Sequence, residues 1–448
     1  MPKNKVSSKT LPTCHEDVIG SSFRVCLWIS ACFLGLSVFS RDGMGSLPAK
    51  FLLLGATLFA GFAPWAGRFQ LNRRFLNFSL LILLIATLAL PVTRIPGYYL
   101  QAASQSEFHL WLGLRSIAAV AGIACWFFMG RYSKFLFCLC CSSIFLACCW
   151  TLRASPQPTI DVFFFFKSAT THLLNGNNPY TQAMPNIYGS GTTLYAPELI
   201  QGDTLRFGFP YPLGSLLGPA LGSPFFPDYR FGVLLAYVAA VMWLGFQGLV
   251  ERKIALLALF FPRLEFVFEQ GWSDAWSGAL LLWTAVFSRN FAGGLFAGVW
   301  IASKQYLIPF ALPWLCILRK QRITALTCIG LSGFLYLLPL IDQPKDYLWS
   351  VFGLQFIQPF RPDSLSFLFG PGYLTILAVG IWLLGLIPRI RLLAAAPRYS
   401  AYATFGFLHW TLWAFFIFNK QAFANYFFTL YLLTLWITKD FLNPKKAE

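Results

Sequence analysis

The sequence predicts an all-α, polytopic membrane protein, and three observations carry that prediction. First, 57% of the 448 residues are hydrophobic and only 11% are charged, with a mean hydropathy of +0.61. Soluble domains carry about 25% charged residues, so this chain has too few to cover a water-facing surface. Second, the apolar runs are continuous rather than alternating, which favours helices over a β-barrel. Third, the basic residues cluster in short connections between those runs, as the positive-inside rule expects.

Taken in order, and allowing about 20 apolar residues per crossing, the expected spans begin with Phe23–Phe39, Phe51–Ala66, Phe75–Val92, Leu110–Met129 and Phe135–Leu152. A long polar segment follows. Beyond it come Phe231–Val250, Ile254–Phe268, Ala275–Phe287, Phe291–Ala302 and Tyr306–Leu318. The last are Ile323–Ile341, Tyr373–Ile387, Ala401–Phe418 and Ala422–Thr438. The four between Ile254 and Leu318 are short, and read either as two re-entrant pairs or as tilted, broken helices lining a cavity. The first apolar run has no small-residue cleavage site after it and is read as an uncleaved span. The expected division is an accessory bundle over 1–134 and a catalytic module over 135–448.

Lys and Arg number 34 against 17 Asp and Glu, a net charge of +17. In a soluble protein that excess would raise nucleic acid as a partner; here no basic patch on a nucleic-acid fold accompanies it, and none is expected. With the N-terminus in the cytoplasm, the basic clusters (Arg68, Arg73, Arg74; Arg131, Lys134; Arg252, Lys253; Arg289; Arg319, Lys320, Arg322; Arg389, Arg391, Arg398; Lys439, Lys445, Lys446) fall on one side. Both termini are then cytoplasmic, and the loop 153–212 lies outside a plasma or inner membrane. Ten of the 11 cysteines named by position (Cys26, Cys32, Cys125, Cys138, Cys140, Cys141, Cys148, Cys149, Cys316, Cys328) sit in or beside apolar runs. They read as buried small apolar residues, and no metal site is expected.

The outer segment carries the chemistry. Asp161 stands at the mouth of a Val-Phe-Phe-Phe-Phe run, where desolvation raises a carboxyl pKa and suits it to general-base work. Carboxylates at a membrane edge are costly unless paired or hydrated, so Asp161, Glu269 and Asp274 are candidates for function; the alternative for Asp161 is a helix cap or a pair with Lys167. Gly176-Asn177-Asn178-Pro179-Tyr180 is a turn by composition, and Tyr195-Ala196-Pro197 and Phe209-Pro210-Tyr211-Pro212 are rigid aromatic turns whose rings either stack on a sugar or mark the headgroup belt. Lys304 interrupts an apolar run and Lys420 sits in a tight turn; two cations at one surface suit a lipid phosphate, although both could instead snorkel to headgroups.

Asp161, Leu173-Leu174-Asn175-Gly176-Asn177-Asn178-Pro179-Tyr180 and Phe209-Pro210-Tyr211-Pro212-Leu213-Gly214 together resemble the first catalytic loop of GT-C membrane glycosyltransferases. The pattern is most similar to the polyprenol-phosphate-mannose-dependent mannosyltransferases of glycosyltransferase family 87. Glu269-Gln270-Gly271-Trp272-Ser273-Asp274, Ala292-Gly293 and Lys304-Gln305-Tyr306 resemble that family's second block, with weaker support from Asn419-Lys420 and Asn425-Tyr426. The likeness covers about residues 150–320 and is a loose pattern.

The resemblance implies a GT-C-like bundle of about 11–14 transmembrane or re-entrant helices. It implies an inverting transfer of a sugar, mannose in that family, from a polyprenyl-phosphate donor to a glycan or glycolipid acceptor, with no cofactor. Asp161 would deprotonate the acceptor, and Lys304 and Lys420, with Arg361 or Arg206, would hold the leaving phosphate. Asn178, Tyr180, Tyr211, Glu269, Asp274, Gln305 and Tyr306 would contact substrate. Membrane lipids are the remaining partner. The family's aspartate follows the first span, whereas Asp161 follows five; the four extra spans are even in number and keep it on the same side. A transporter or lipid flippase is the rival reading, and a non-enzymatic scaffold a third; neither needs the long Asn/Pro/Tyr-rich outer loop.

Overall fold

The computed structural model describes residues 14–63, 73–101, 107–127, 132–288, 290–317, 321–359, 361, 363–365, 408–417 and 422–440. Over these the chain is almost entirely helical, and four helices are long and apolar enough to cross a membrane: Phe108–Phe127, Tyr132–Ala154, Tyr229–Gln247 and Arg322–Asp342. Shorter apolar helices include Leu47–Phe62, Phe291–Ile301, Leu408–Ile417 and the stretch Ala424–Thr438. Local sequence sets several boundaries. Ser46 caps the Leu47–Phe62 helix through the Ala49 amide, Asp228 caps Tyr229–Gln247 through that of Arg230, and Asn290 caps Phe291–Ile301 through that of Gly293. The span expected over Tyr373–Ile387 lies outside the described residues.

The region from Ile254 to Leu318 consists of broken helices. Leu249–Leu259 ends at Phe260, just before Pro262; Leu264–Glu269 follows, and then Ser273–Val286. The second break is made at Gly271, whose φ of +64° belongs to the left-handed region. Where a span was expected over Tyr306–Leu318, a 3₁₀ turn Gln305–Ala311 leads into the short helix Leu312–Ile317. Close approach needs glycine elsewhere: Phe291–Ile301 packs on Arg322–Asp342, and a Cβ at Gly294 would overlap the Thr324 carbonyl.

One apolar core runs from Val25 to Ile437. Within it the Cys14–Arg41 helix packs on Leu47–Phe62, Arg73–Ala89 and Ala424–Asp440, so the first and last described helices meet. A fully buried pair, Arg115 to Glu265 at 3.1 Å, ties Phe108–Phe127 to Leu264–Glu269. These contacts carry the core across residue 134, the expected division between bundle and module.

Helix ends gather on two faces. On one, Gly45 donates to the Asp363 carbonyl (2.8 Å), Leu365 to that of Ala422 (2.9 Å) and Gln101 to that of Ala154 (2.9 Å). Arg230 joins the same face by donating to the carbonyls of Ser155 (2.7 Å) and Glu269 (2.6 Å). On the other, Arg252 donates to Ser133 (2.9 Å), Lys253 lies over Trp126 (4.9 Å) and Gln247 donates to the Val286 carbonyl (3.1 Å). The Arg252/Lys253 connection therefore lies opposite the 153–212 segment.

That segment is more regular than a polar loop. It opens with a 14-residue helix, Asp161–Leu174, whose Phe163, Phe165, Phe166 and Ala169 are buried. A small antiparallel sheet follows: the Thr204–Leu205 strand pairs with Met184–Pro185 on one side and Ile200–Gln201 on the other. The Phe-rich run after Asp161 is thus the inner face of a helix packed on protein, not a stretch facing lipid.

Candidate functional site

Asp161 is the first residue of its helix, where a negative charge meets the positive end of the helix dipole. Its Oδ2 accepts from the Tyr195 hydroxyl and its Oδ1 from the Val162 amide at 2.7 Å. Its own amide donates to the Tyr188 hydroxyl at 3.2 Å. Burial pushes the Asp161 carboxyl above its usual range; the Tyr195 and Val162 hydrogen bonds and the positive charge of Arg361 oppose that rise without cancelling it. Lys167, the alternative partner, is exposed and makes no ion pair with Asp161.

A cluster of rings that includes Tyr211 lies within electrostatic reach of this carboxylate and of a second one, Asp274. Phe166 stacks on Tyr211 with centroids 5.5 Å apart and meets Phe209 edge-on at 5.1 Å. Both Asp161 and Asp274 act on the Tyr211 phenol and, after burial, push its pKa up. The Lys304 ammonium lies 4.9 Å from the Tyr211 ring centroid and 2.8 Å from Asp274 Oδ2. Asp274 is fully buried and accepts three more hydrogen bonds: from Asn425 (3.0 Å), Thr429 (2.9 Å) and the Tyr306 hydroxyl (3.2 Å). A buried ion pair survives only with such further donors.

Asp161, Tyr211, Lys304, Asp274 and Tyr306 are therefore brought together. Arg361 belongs beside them: its charge reaches Asp161, its guanidinium grips Asp363 at 3.0 and 2.7 Å, and it lies over Phe423 at 5.2 Å. Lys420 lies outside the described residues.

Four residues expected at substrate hold the protein to itself instead. Asn178 donates to Asp342 (2.8 Å) and accepts from the Tyr180 amide (2.9 Å). Tyr180 is buried and donates to the Tyr211 carbonyl (3.1 Å). Gln305 donates to the carbonyls of Pro210 (3.0 Å) and Val351 (2.8 Å). Glu269 is fully buried and accepts the amides of Tyr98 (2.7 Å) and Tyr99 (2.8 Å) and the Gln270 side chain (3.1 Å). These bonds brace the loops that frame Asp161. Arg206 has an exposed side chain, and its backbone is what joins the small sheet, through Leu199 (2.8 Å).

Tyr188 and Thr429 are residues at the site that sequence reading did not single out, and Tyr195 was read only as an aromatic turn, not as a partner of Asp161. The available signal was the density of tyrosine: four of the 17 (Tyr180, Tyr188, Tyr195, Tyr211) fall within one outer segment. Among the described residues no group of three His, Cys, Asp or Glu side chains is arranged to hold a metal ion. No family model, no curated protein and no solved structure matches this chain, so the fold and the geometry around Asp161 are what a functional reading must rest on.

Proposed function

We propose that the chain is an integral membrane glycosyltransferase with a GT-C-like bundle, which transfers a sugar, mannose by resemblance, from a polyprenyl-phosphate donor to a glycan or glycolipid hydroxyl on the extracytoplasmic side. One observation carries the reading: a proton-accepting carboxylate, Asp161, stands on the same face of the protein as Arg361 and, beside the Tyr211 ring, Lys304.

The chemistry follows from those positions. The acceptor O–H gives its proton to Asp161 as the acceptor oxygen bonds to the anomeric carbon. The bond from that carbon to the phosphate oxygen breaks, its electron pair leaves with the polyprenyl phosphate, and the configuration inverts. A base whose pKa burial raises matches this task better than an ordinary carboxylate. Arg361 is the cation freest to meet the leaving phosphate, because an exposed pair such as Arg361–Asp363 is worth only about 0–1 kcal/mol and exchanges readily. Lys304 keeps Asp274 as its partner and adds its field through the Tyr211 side of the site.

The test is to incubate the purified full-length chain, in lipid nanodiscs, with polyprenyl-phosphate mannose and octyl α-mannoside. A dimannoside product and free polyprenyl phosphate are expected. In sealed vesicles, movement of intact donor across the bilayer with no cleavage would replace this reading with lipid transport.

A further inference from the structure

The N-terminal helices contribute one segment to the face that carries Asp161, and it is built as a rigid strap. Over Arg94–Gln101 the Ile95 carbonyl accepts from Arg263 (2.8 Å), and the Gln101 amide donates to the carbonyl of Ala154, seven residues before Asp161. Between these anchors the buried Glu269 carboxylate takes the two successive amides of Tyr98 and Tyr99. Backbone N–H groups gripping a carboxylate in this way make strong, charge-assisted bonds. The Tyr98 hydroxyl is bonded to Asp42 and its ring meets Phe266 edge-on at 5.1 Å. A Cβ at Gly97 would overlap the Glu269 carboxylate, so the strap can approach this closely only with glycine there.

Every one of these anchors uses the backbone or a side chain other than that of Tyr99. Tyr99 is partly exposed, and among the described residues its hydroxyl has no hydrogen bond. Its phenol feels both Glu269 and Asp161, and Tyr188 in turn feels Tyr99 and Asp161. Tyr188 and Tyr195 are bonded to Asp161, and the strap, anchored at Ala154 and Glu269, holds Tyr99 on the same face with its hydroxyl unbonded and within electrostatic reach of that aspartate. A rigid tyrosine beside a base offers a ring to the apolar face of a sugar and a hydroxyl to its polar edge, at low entropic cost.

We propose that the Arg94–Gln101 strap forms one wall of the acceptor subsite, with Tyr99 as the residue that binds the acceptor sugar and presents its hydroxyl to Asp161. This rests on the glycosyltransferase reading above, and it gives the N-terminal helices a direct part in the reaction.

The experiment measures two rates on the purified chain in nanodiscs with polyprenyl-phosphate mannose: transfer to octyl α-mannoside, and hydrolysis of the donor by water. Tyr99→Ala should raise the acceptor KM about tenfold, the effect of losing one interface aromatic, while donor KM and hydrolysis stay within about twofold. Tyr99→Phe, which keeps the ring, should raise the acceptor KM by a smaller factor even if the alanine variant folds poorly. An acceptor KM equal to wild type in both variants, or a hydrolysis rate that falls together with transfer, overturns the inference. The parent reading fails differently: through absence of both rates in the unmodified chain, or through wild-type rates in Asp161→Asn.

Discussion

Asp161 and Asp274 are two carboxylates that both act on the Tyr211 phenol, and their surroundings differ in kind. Asp274 has an ammonium and three neutral donors on its two oxygens and no exposed surface. Asp161 has one phenol and one amide, and its nearest cation acts from a distance while bound to another acid. The first arrangement fixes a charge and holds helices together. The second leaves a carboxylate under-compensated, so that it can take up a proton. Two acids at the ends of apolar helices therefore have opposite uses, and the count of donors separates them.

Substitutions can break this contrast, starting with the largest effect. Asp274→Ala should destabilise the protein by about 3–5 kcal/mol, because it strands the Lys304 ammonium in the interior. Thermal unfolding in detergent would show it; a variant as stable as wild type would mean that the pair is not the fastener described here. Asp161→Asn should fold normally, bind donor, and turn over at least about a hundredfold more slowly, since the amide cannot accept the proton. A well-folded variant within a few-fold of wild type would remove Asp161 from the chemistry.

Smaller effects sharpen the same contrast. Arg361→Gln should raise the donor KM by about tenfold, the loss of one charged contact to phosphate, and leave unfolding within about 1 kcal/mol because its pair with Asp363 is exposed. An unchanged donor KM would leave the leaving group to other cations. Finally, pH reports on Tyr195. The base must be deprotonated, so kcat/KM should rise with pH through the raised Asp161 pKa and level off above it. Tyr195→Phe deletes a bond that favours the carboxylate form; the Asp161 pKa should climb further and the acid limb move to higher pH. A limb that stays put, or moves to lower pH, contradicts the bond as drawn.

The membrane class was legible because composition is a global property, and the broken helices because each run between Ile254 and Leu318 is too short to cross. Asp161, Lys304 and Asp274 stood out because a charge beside an apolar run has few harmless explanations. Glu269 stood out for the same reason and was given a different role. Its partners are amides 171 and 170 positions away, and a backbone donor carries no residue-type signature. Asn178 and Gln305 are legible in the same limited way: a side-chain amide suits a sugar hydroxyl and a loop carbonyl equally well, and in the structure both bond to protein. The helix after Asp161 was legible as an apolar run opened by a carboxylate, but four consecutive phenylalanines obscure the 3.6-residue period that would show which face packs on protein.

The Arg115–Glu265 pair has a consequence for biosynthesis. Arg115 lies inside an apolar helix of 20 residues, and its counter-charge is encoded 150 positions later (265 − 115). At about 5–20 residues per second, the ribosome needs on the order of ten to thirty seconds to supply it. Until then the Phe108–Phe127 helix carries a guanidinium worth about 2.5–3.5 kcal/mol against insertion at mid-membrane. Such a helix is expected to seat fully only after the Leu264–Glu269 segment arrives, so chains truncated before Glu265 should insert Phe108–Phe127 less completely than the full chain.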